Sequence, residues 1–302
     1  MADRTFTAGR FGLVLEGSEF LGFVKKVSGG VIRAELAQQQ LGPDNVSKKH
    51  INAISYEDFT VRAGMGMPKG FYEWIRAAFD GAHISKNGEV HACDFEGNSM
   101  CVRSFRDAHI SEVTIPAMDG SSRQPAYMTI KLDPKEIEYR PGTGSQVPGE
   151  NPHPRRKWRR SNFRFELGDL PCKRVAKIDS FTWKMAVVKD EVGDFRIPTL
   201  HPVKIEVPNL RLTISMADVE PWEDWHRSFV VEGNCGEDAE LNGSITFLSP
   251  KRRKELARIH LRNVGILSLD TWDQPANREE PARFTVELYV EDMKFEYLAA
   301  DA

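Results

Sequence analysis

The chain is 302 residues long, 40 % hydrophobic and 28 % charged, a composition that can fill a sizeable core and excludes disorder over the whole length. Its 41 Lys and Arg against 44 Asp and Glu leave a net charge of -3, which argues against nucleic acid or an anionic membrane as the main partner. No apolar run approaches the roughly 20 residues that cross a bilayer, and the N-terminal MADRTFTAGRFG lacks the apolar core of a secretory signal, so cytoplasmic synthesis without a membrane partner is expected.

Taken in chain order, Phe11, Leu13 and Leu15 alternate with other residues and predict a strand that turns at Glu16-Gly17. A second strand is expected over 20–27. Residues 30–57 form an excursion longer than a turn needs, and such excursions are usually functional or else disordered surface loops. Ile32, Ala34 and Leu36 still alternate there, enough to predict a strand arm that also carries Leu41 and Val46. Phe59, Val61, Ala63 and Met65 predict a half-buried strand, which Pro68 and Gly70 end. Phe71, Trp74, Ile75 and Ala78 then fall at helical spacing, one apolar stripe on a short helix. Strands are expected again at 86–90, around 105–110 and at 128–132.

Residues 140–160, RPGTGSQVPGENPHPRRKWRR, are too rich in proline and glycine for a regular element and predict a linker. It ends in the most basic run of the chain, Arg155, Arg156, Lys157, Trp158, Arg159 and Arg160. A phosphate-binding patch with Trp158 as a stacking platform is one reading. A solvated segment that meets acidic residues of a neighbouring subunit is the preferred one.

Beyond the linker the pattern starts again. Phe163, Phe165 and Leu167 alternate like Phe11 to Leu15, and Leu210, Leu212, Ile214 and Met216 repeat the strand before the helix. Trp222, Trp225 and Phe229 repeat the helical stripe. Val61 to Leu212, Phe71 to Trp222 and Trp74 to Trp225 are all shifts of 151 residues. Near the ends of the halves the shift is 156, from Arg106-Asp107-Ala108 to Arg262-Asn263-Val264 and from Pro125-Ala126 to Pro281-Ala282. The second excursion, 182–207, carries Trp183, Met185 and Val187 in alternation and predicts a second arm. A tandem duplication follows, with domains over 1–139 and 161–302 joined by the linker 140–160. Period-two segments with one helix per half predict a mainly β fold of two tandem antiparallel sandwiches or barrels, each with a short flanking helix anchored by Phe71 and Trp74 or by Trp222 and Trp225.

Little in the sequence points to chemistry. Cys93, Cys101, Cys172 and Cys235 are too scattered for a disulfide framework. His83, His91, Cys93, Cys101 and His109 are spaced more loosely than structural zinc ligands, so no metal is expected. The chain has no nucleophile elbow, zincin helix, P-loop or dinucleotide fingerprint, and neither catalysis nor a cofactor is expected.

With these residues laid out, the chain resembles the tail tube protein family of contractile-tailed phages and bacterial contractile injection systems. The likeness runs through the opening FGLVLEGSEFLGFVKKVSG, the strand Phe59–Arg62 leading into Phe71-Tyr72-Glu73-Trp74, the glycine-led strand Lys86–Val90, the segment Phe105-Arg106-Asp107-Ala108-His109 and the closing strand Met128–Leu132. It covers residues 6–139 and, more loosely, 161–298. The resemblance implies barrels set in sixfold rings whose inner sheets join into a β-lined channel. It also implies stacking of rings inside a sheath on a baseplate, with the arms of 30–57 and 182–207 (Ile32, Leu36, Leu41, Val46, Trp183 and Met185) contacting the next ring and DNA or protein only as passing cargo, in a virion tail or injection particle. Most members have a single tube domain, so two in one chain suggest a pseudo-sixfold ring of three chains, with a hexamer as the competitor. A baseplate hub or tube-initiator ring is the alternative role, and a tandem ligand-binding barrel a more distant one.

Overall fold

The computed structural model describes residues 9–16, 22–40, 47–147, 158–190, 199–271 and 281–298. Among these residues the fold is mainly β, in curled sheets of the sandwich or barrel kind, with two α-helices. In the first half run β1 (Arg10–Leu15), β2 (Gly22–Val24), β3 (Lys26–Gly29), a hairpin of β4 (Ile32–Gln40) and β5 (Ser47–Tyr56), β6 (Phe59–Ala63), α1 (Lys69–Phe79), β7 (Lys86–Cys93), the long β8 (Ser99–Ile115), the short β9 (Met118–Asp119), β10 (Met128–Asp133) and β11 (Glu136–Pro141). The second half continues with β12 (Phe163–Leu167), β13 (Val175–Ile178), a hairpin of β14 (Phe181–Asp190) and β15 (Thr199–Glu206), β16 (Leu210–Ser215), α2 (Val219–His226), β17 (Leu241–Leu248), β18 (Glu255–Asp270) and β19 (Arg283–Tyr297).

Both halves build the same sheet. Antiparallel order is β1-β7-β8-β10-β6-β3 in one and β12-β17-β18-β19-β16-β13 in the other. The two hairpins agree residue by residue. Arg33 faces Ser55 as Lys184 faces Glu206, and a bulge falls at Glu35/Leu36 in one and at Ala186/Val187 in the other. Where the second half has one strand, β19, the first half has β10 and β11, because Pro134 cannot donate to a ladder and breaks the strand.

The long strands β8 and β18 bend at a shared device. Asp107 and Asn263 sit in left-handed backbone, at φ 47° and 50°, a conformation Asp and Asn tolerate better than other side-chain-bearing residues. The N–H of Asp107 donates to Asn87 Oδ1 at 2.8 Å, and that of Asn263 to Asn242 Oδ1 at 3.2 Å. Each Asn is followed by a glycine that closely approaches the neighbouring strand. A Cβ on Gly88 would lie 2.4 Å from the Val14 carbonyl oxygen, and one on Gly243 would lie 2.3 Å from that of Glu166.

The helices are held by polar tips as well as by their stripes. Phe71, Tyr72, Trp74, Ile75, Ala78 and Phe79 of α1 are buried. The Tyr72 hydroxyl accepts from Met67 N at 3.0 Å and donates to Gly64 O at 2.7 Å, pinning the turn that enters the helix. Helix α2 follows a 3-10 turn, Met216–Asp218, and runs on into a π-turn, Arg227–Val231, so Phe229 stays buried beyond the regular helix.

Gly88→Ala and Gly243→Ala should each destabilise the fold by roughly 1–3 kcal/mol, since backbone must move to admit the methyl group. Denaturant unfolding midpoints of the two variants check this.

Candidate assembly interface

The two halves are joined through their sheets. Strand β14 of the second half adds antiparallel to the edge of β8 in the first, with Phe181 opposite Ile115, Thr182 opposite Thr114, Trp183 opposite Val113 and Lys184 opposite Glu112. The two threonine hydroxyls meet at 2.9 Å, and Ser180 Oγ donates to the Ile115 carbonyl at 2.8 Å. In return β9 of the first half pairs with β13 of the second, Met118 opposite Ile178. A bridge between Pro125 and Arg159 closes the seam, with Ala126 N donating to Trp158 O at 3.0 Å and Arg160 N to Gln124 O at 3.1 Å. One sheet therefore runs β6-β10-β8-β14-β15 across both halves.

Alternation gives this sheet two different faces. One is apolar, and helix α1 is laid on it from the first half against β19 of the second. Phe79 stacks on Trp183 at 4.6 Å and lies 5.9 Å from Phe295, while Tyr72 stacks on Tyr297 at 4.0 Å. The other face carries a row of alternating charge. Lys131 lies opposite Glu112, which faces Lys184, which faces Glu206. Lys131 Nζ is 2.8 Å from Asp58 and 3.5 Å from Glu112, and the Asp58 hydrogen bond, aided by both charges, raises the lysine's pKa. Cross-strand pairs of opposite charge set register, because a one-residue slip would place each beside the wrong neighbour.

The residues singled out by sequence are distributed unevenly around this seam. Phe71 and Trp74 are buried in α1, and Trp74 Nε1 donates to Ile84 O at 2.9 Å. Trp222 is buried and donates to Pro171 O at 3.5 Å, while Trp225 is half-buried with its ring edge-on to Trp222 and Phe229. Ile32 and Leu36 are exposed on β4; Leu41 and Val46 lie outside the described residues.

The second arm needs correction: Trp183 and Met185 do not project but are buried at the seam. Alternation reads the same whether a hairpin stands clear or adds to another sheet, and only the long-range pairing with β8 decides. The linker is corrected at both ends. Residues 140 and 141 belong to β11, and Gly144 N and Val147 N donate to Ser99 O and Gly97 O. Trp158 is neither solvated nor a stacking platform, being buried against Phe247 at 4.6 Å. Arg159 is exposed and Arg160 half-buried; Arg155, Arg156 and Lys157 lie outside the described residues. Among the loosely spaced His and Cys residues, His91 is engaged by Ser99 Oγ at 2.9 Å and by Glu89 at 3.2 Å. Apolar periodicity does not show the αL device, but Asn-Gly at 87–88 and 242–243 is a repeated sequence signal for it.

Residues 8–138 match the family described as T4-like virus tail tube protein gp19, so the expected tail tube resemblance is borne out over the first half. No curated protein matches the chain. Among solved structures, a sheath-tube complex of the extracellular contractile injection system PVC is 18 % identical, covering 46 % of this chain and 94 % of its own at a TM-score of 0.40. The PVC sheath/tube terminator is 19 % identical over 46 % of this chain and 99 % of its own, TM-score 0.39. The tube-terminating cap of the anti-feeding prophage is 17 % identical over 51 % and 97 %, TM-score 0.34.

Truncating the seam at its most buried ring, Trp183→Ala, should cost about 3–5 kcal/mol in denaturant unfolding. Thiol labelling of the native protein should separate the cysteines: Cys235 is exposed and should react readily. Cys172 is buried, and burial pushes its pKa up to about 11, so it should label only on unfolding. Mass spectrometry after brief maleimide treatment reads both.

Proposed function

We propose, from a tail tube domain over residues 8–138 followed by a second sheet of the same strand order, that this chain is a structural subunit of the inner tube of a contractile tail or contractile injection system. Three chains supply six barrels to a pseudo-sixfold ring, and rings stack into a β-lined channel inside a sheath on a baseplate. The role is structural and asks for no catalysis.

The single observation that carries the reading is the sheet that continues from one half into the other through β8 and β14. Open strand edges are liabilities that proteins normally cover or blunt. Here an edge is used to fuse one barrel to the next, which is the joint that a ring of barrels repeats. The charge row of alternating sign on the exposed face suits a wall past which a polymer must slide, because it offers no single-sign field to hold one.

Electron microscopy and native mass measurement of the purified chain test this. Discs of three chains, or tubes built from them, are expected as concentration rises. Six chains per disc would overturn the trimer, and a strict monomer at high concentration would overturn the tube reading itself.

A further inference from the structure

The seam inside the chain has a counterpart that the single chain leaves open. Residues that are equivalent in the two halves by register occupy opposite states. In the seam, Phe79, Trp183 and Phe295 form one buried cluster, at 1 %, 0 % and 2 % exposure. Their equivalents follow from the strand and helix correspondence. The shift of 151 takes Phe79 to Val230 and Ile32 to Trp183, and the shift of 156 takes Tyr139 to Phe295. Val230, Ile32 and Tyr139 are exposed by 45 %, 37 % and 49 %. Exposed large apolar side chains are ordinary singly, but these three stand where the other half builds a core.

The backbone repeats the contrast. Val113 of β8 is covered by β14, with Trp183 opposite it. The position matching Val113 is Leu269 of β18, which pairs with β19 on one side; among the described residues no strand lies on its other side. Strand β4, the counterpart of β14, pairs with β5 alone among the described strands. At its base the Tyr139 hydroxyl accepts from Ile32 N–H at 3.0 Å and donates to Gly30 O at 3.2 Å. A side-chain hydroxyl there holds backbone groups at the level where the other hairpin is held by a strand.

We infer that β4 of one chain adds antiparallel to the open edge of β18 in a second copy, Ile32 opposite Leu269, while Val230 of that second copy packs on Ile32 and Tyr139 of the first. The partner is another copy of this chain because the joint is the intramolecular one repeated, residue for residue, with each element supplied by the equivalent half. Each chain offers one donor hairpin and one acceptor edge, so the contact is heterologous, and it closes when the rotation per chain divides a full turn. The incoming strand takes over the groups that Tyr139 holds in the single chain. The inference rests on the tube reading and names the residues that close the ring.

Disulfide trapping tests the register. In a Cys235→Ser background, Ile32→Cys with Leu269→Cys should give, on oxidation, an intermolecular ladder that ends at three chains and collapses on reduction. Arg33→Cys with Leu269→Cys should trap several-fold less, because neighbouring strand residues point to opposite faces. Ile32→Asp and Val230→Asp alter exposed positions, so each should keep the wild-type melting temperature yet lose ring formation. Rings that form without the Ile32–Leu269 disulfide, or that persist in both aspartate variants, would overturn this joint and leave the tube reading standing. A wild-type chain that stays monomeric would instead overturn the tube reading, and this inference with it.

Discussion

A β-strand edge presents unpaired N–H and C=O groups, and whatever covers that edge decides the architecture around it. In this chain the decisive edge belongs to β8, and it is covered by β14 from the other half. The placement of α1 on β19, the stack of Phe79 on Trp183 and the burial of Trp158 all follow from bringing the halves together along that line. Hydrogen bonding supplies the direction and register of the seam. The buried aromatic rings stabilise it, since each removes a large apolar surface from water.

Much of the local structure was legible from periodicity. Alternation at Phe59–Met65 and at Leu210–Met216 located β6 and β16, and the stripe from Phe71 to Ala78 located α1, because burying one face leaves the same imprint wherever it occurs. The repeat was legible for the same reason: equivalent core positions stayed apolar at a fixed shift. What escaped was everything set by distant pairing. Trp183 and Met185 looked like an arm because a strand's own alternation does not say which neighbour covers it. Trp158 sat in a basic run and was judged by its neighbours' charge, whereas its ring is buried against Phe247, far away in sequence. The αL residues Asp107 and Asn263 lay inside well-patterned strands, where nothing in the apolar rhythm marks a bend. Their partners, Asn87 and Asn242, carried the signal in a dipeptide more readily associated with hairpin turns.

The halves differ in ways that track their different surroundings. In the first, Pro134 splits the closing strand into β10 and β11, while β19 runs unbroken. Helix α1 ends cleanly after Phe79, with Asp80 and Gly81 bonded back to Arg76 and Ala78. Helix α2 loosens into a π-turn that leaves Val230 and Val231 exposed. The packed helix end is the one that another half covers, and the looser one is bare in the single chain. Positions inside each sheet are apolar in both halves, while positions at the two kinds of boundary differ.

Placing one joint inside a single polypeptide also changes how concentration enters the problem. Two separate barrels would have to find each other in solution, losing translational and rotational freedom worth on the order of 4–15 kcal/mol. Carried on one polypeptide, they meet instead at an effective concentration that does not depend on how dilute the protein is. The β8–β14 joint thus forms with folding, at any dilution and in fixed proportion, before a second molecule is encountered. In the ring proposed above, dilution acts only on the contacts between chains, so the smallest piece that survives it is a matched pair of barrels and never a lone one.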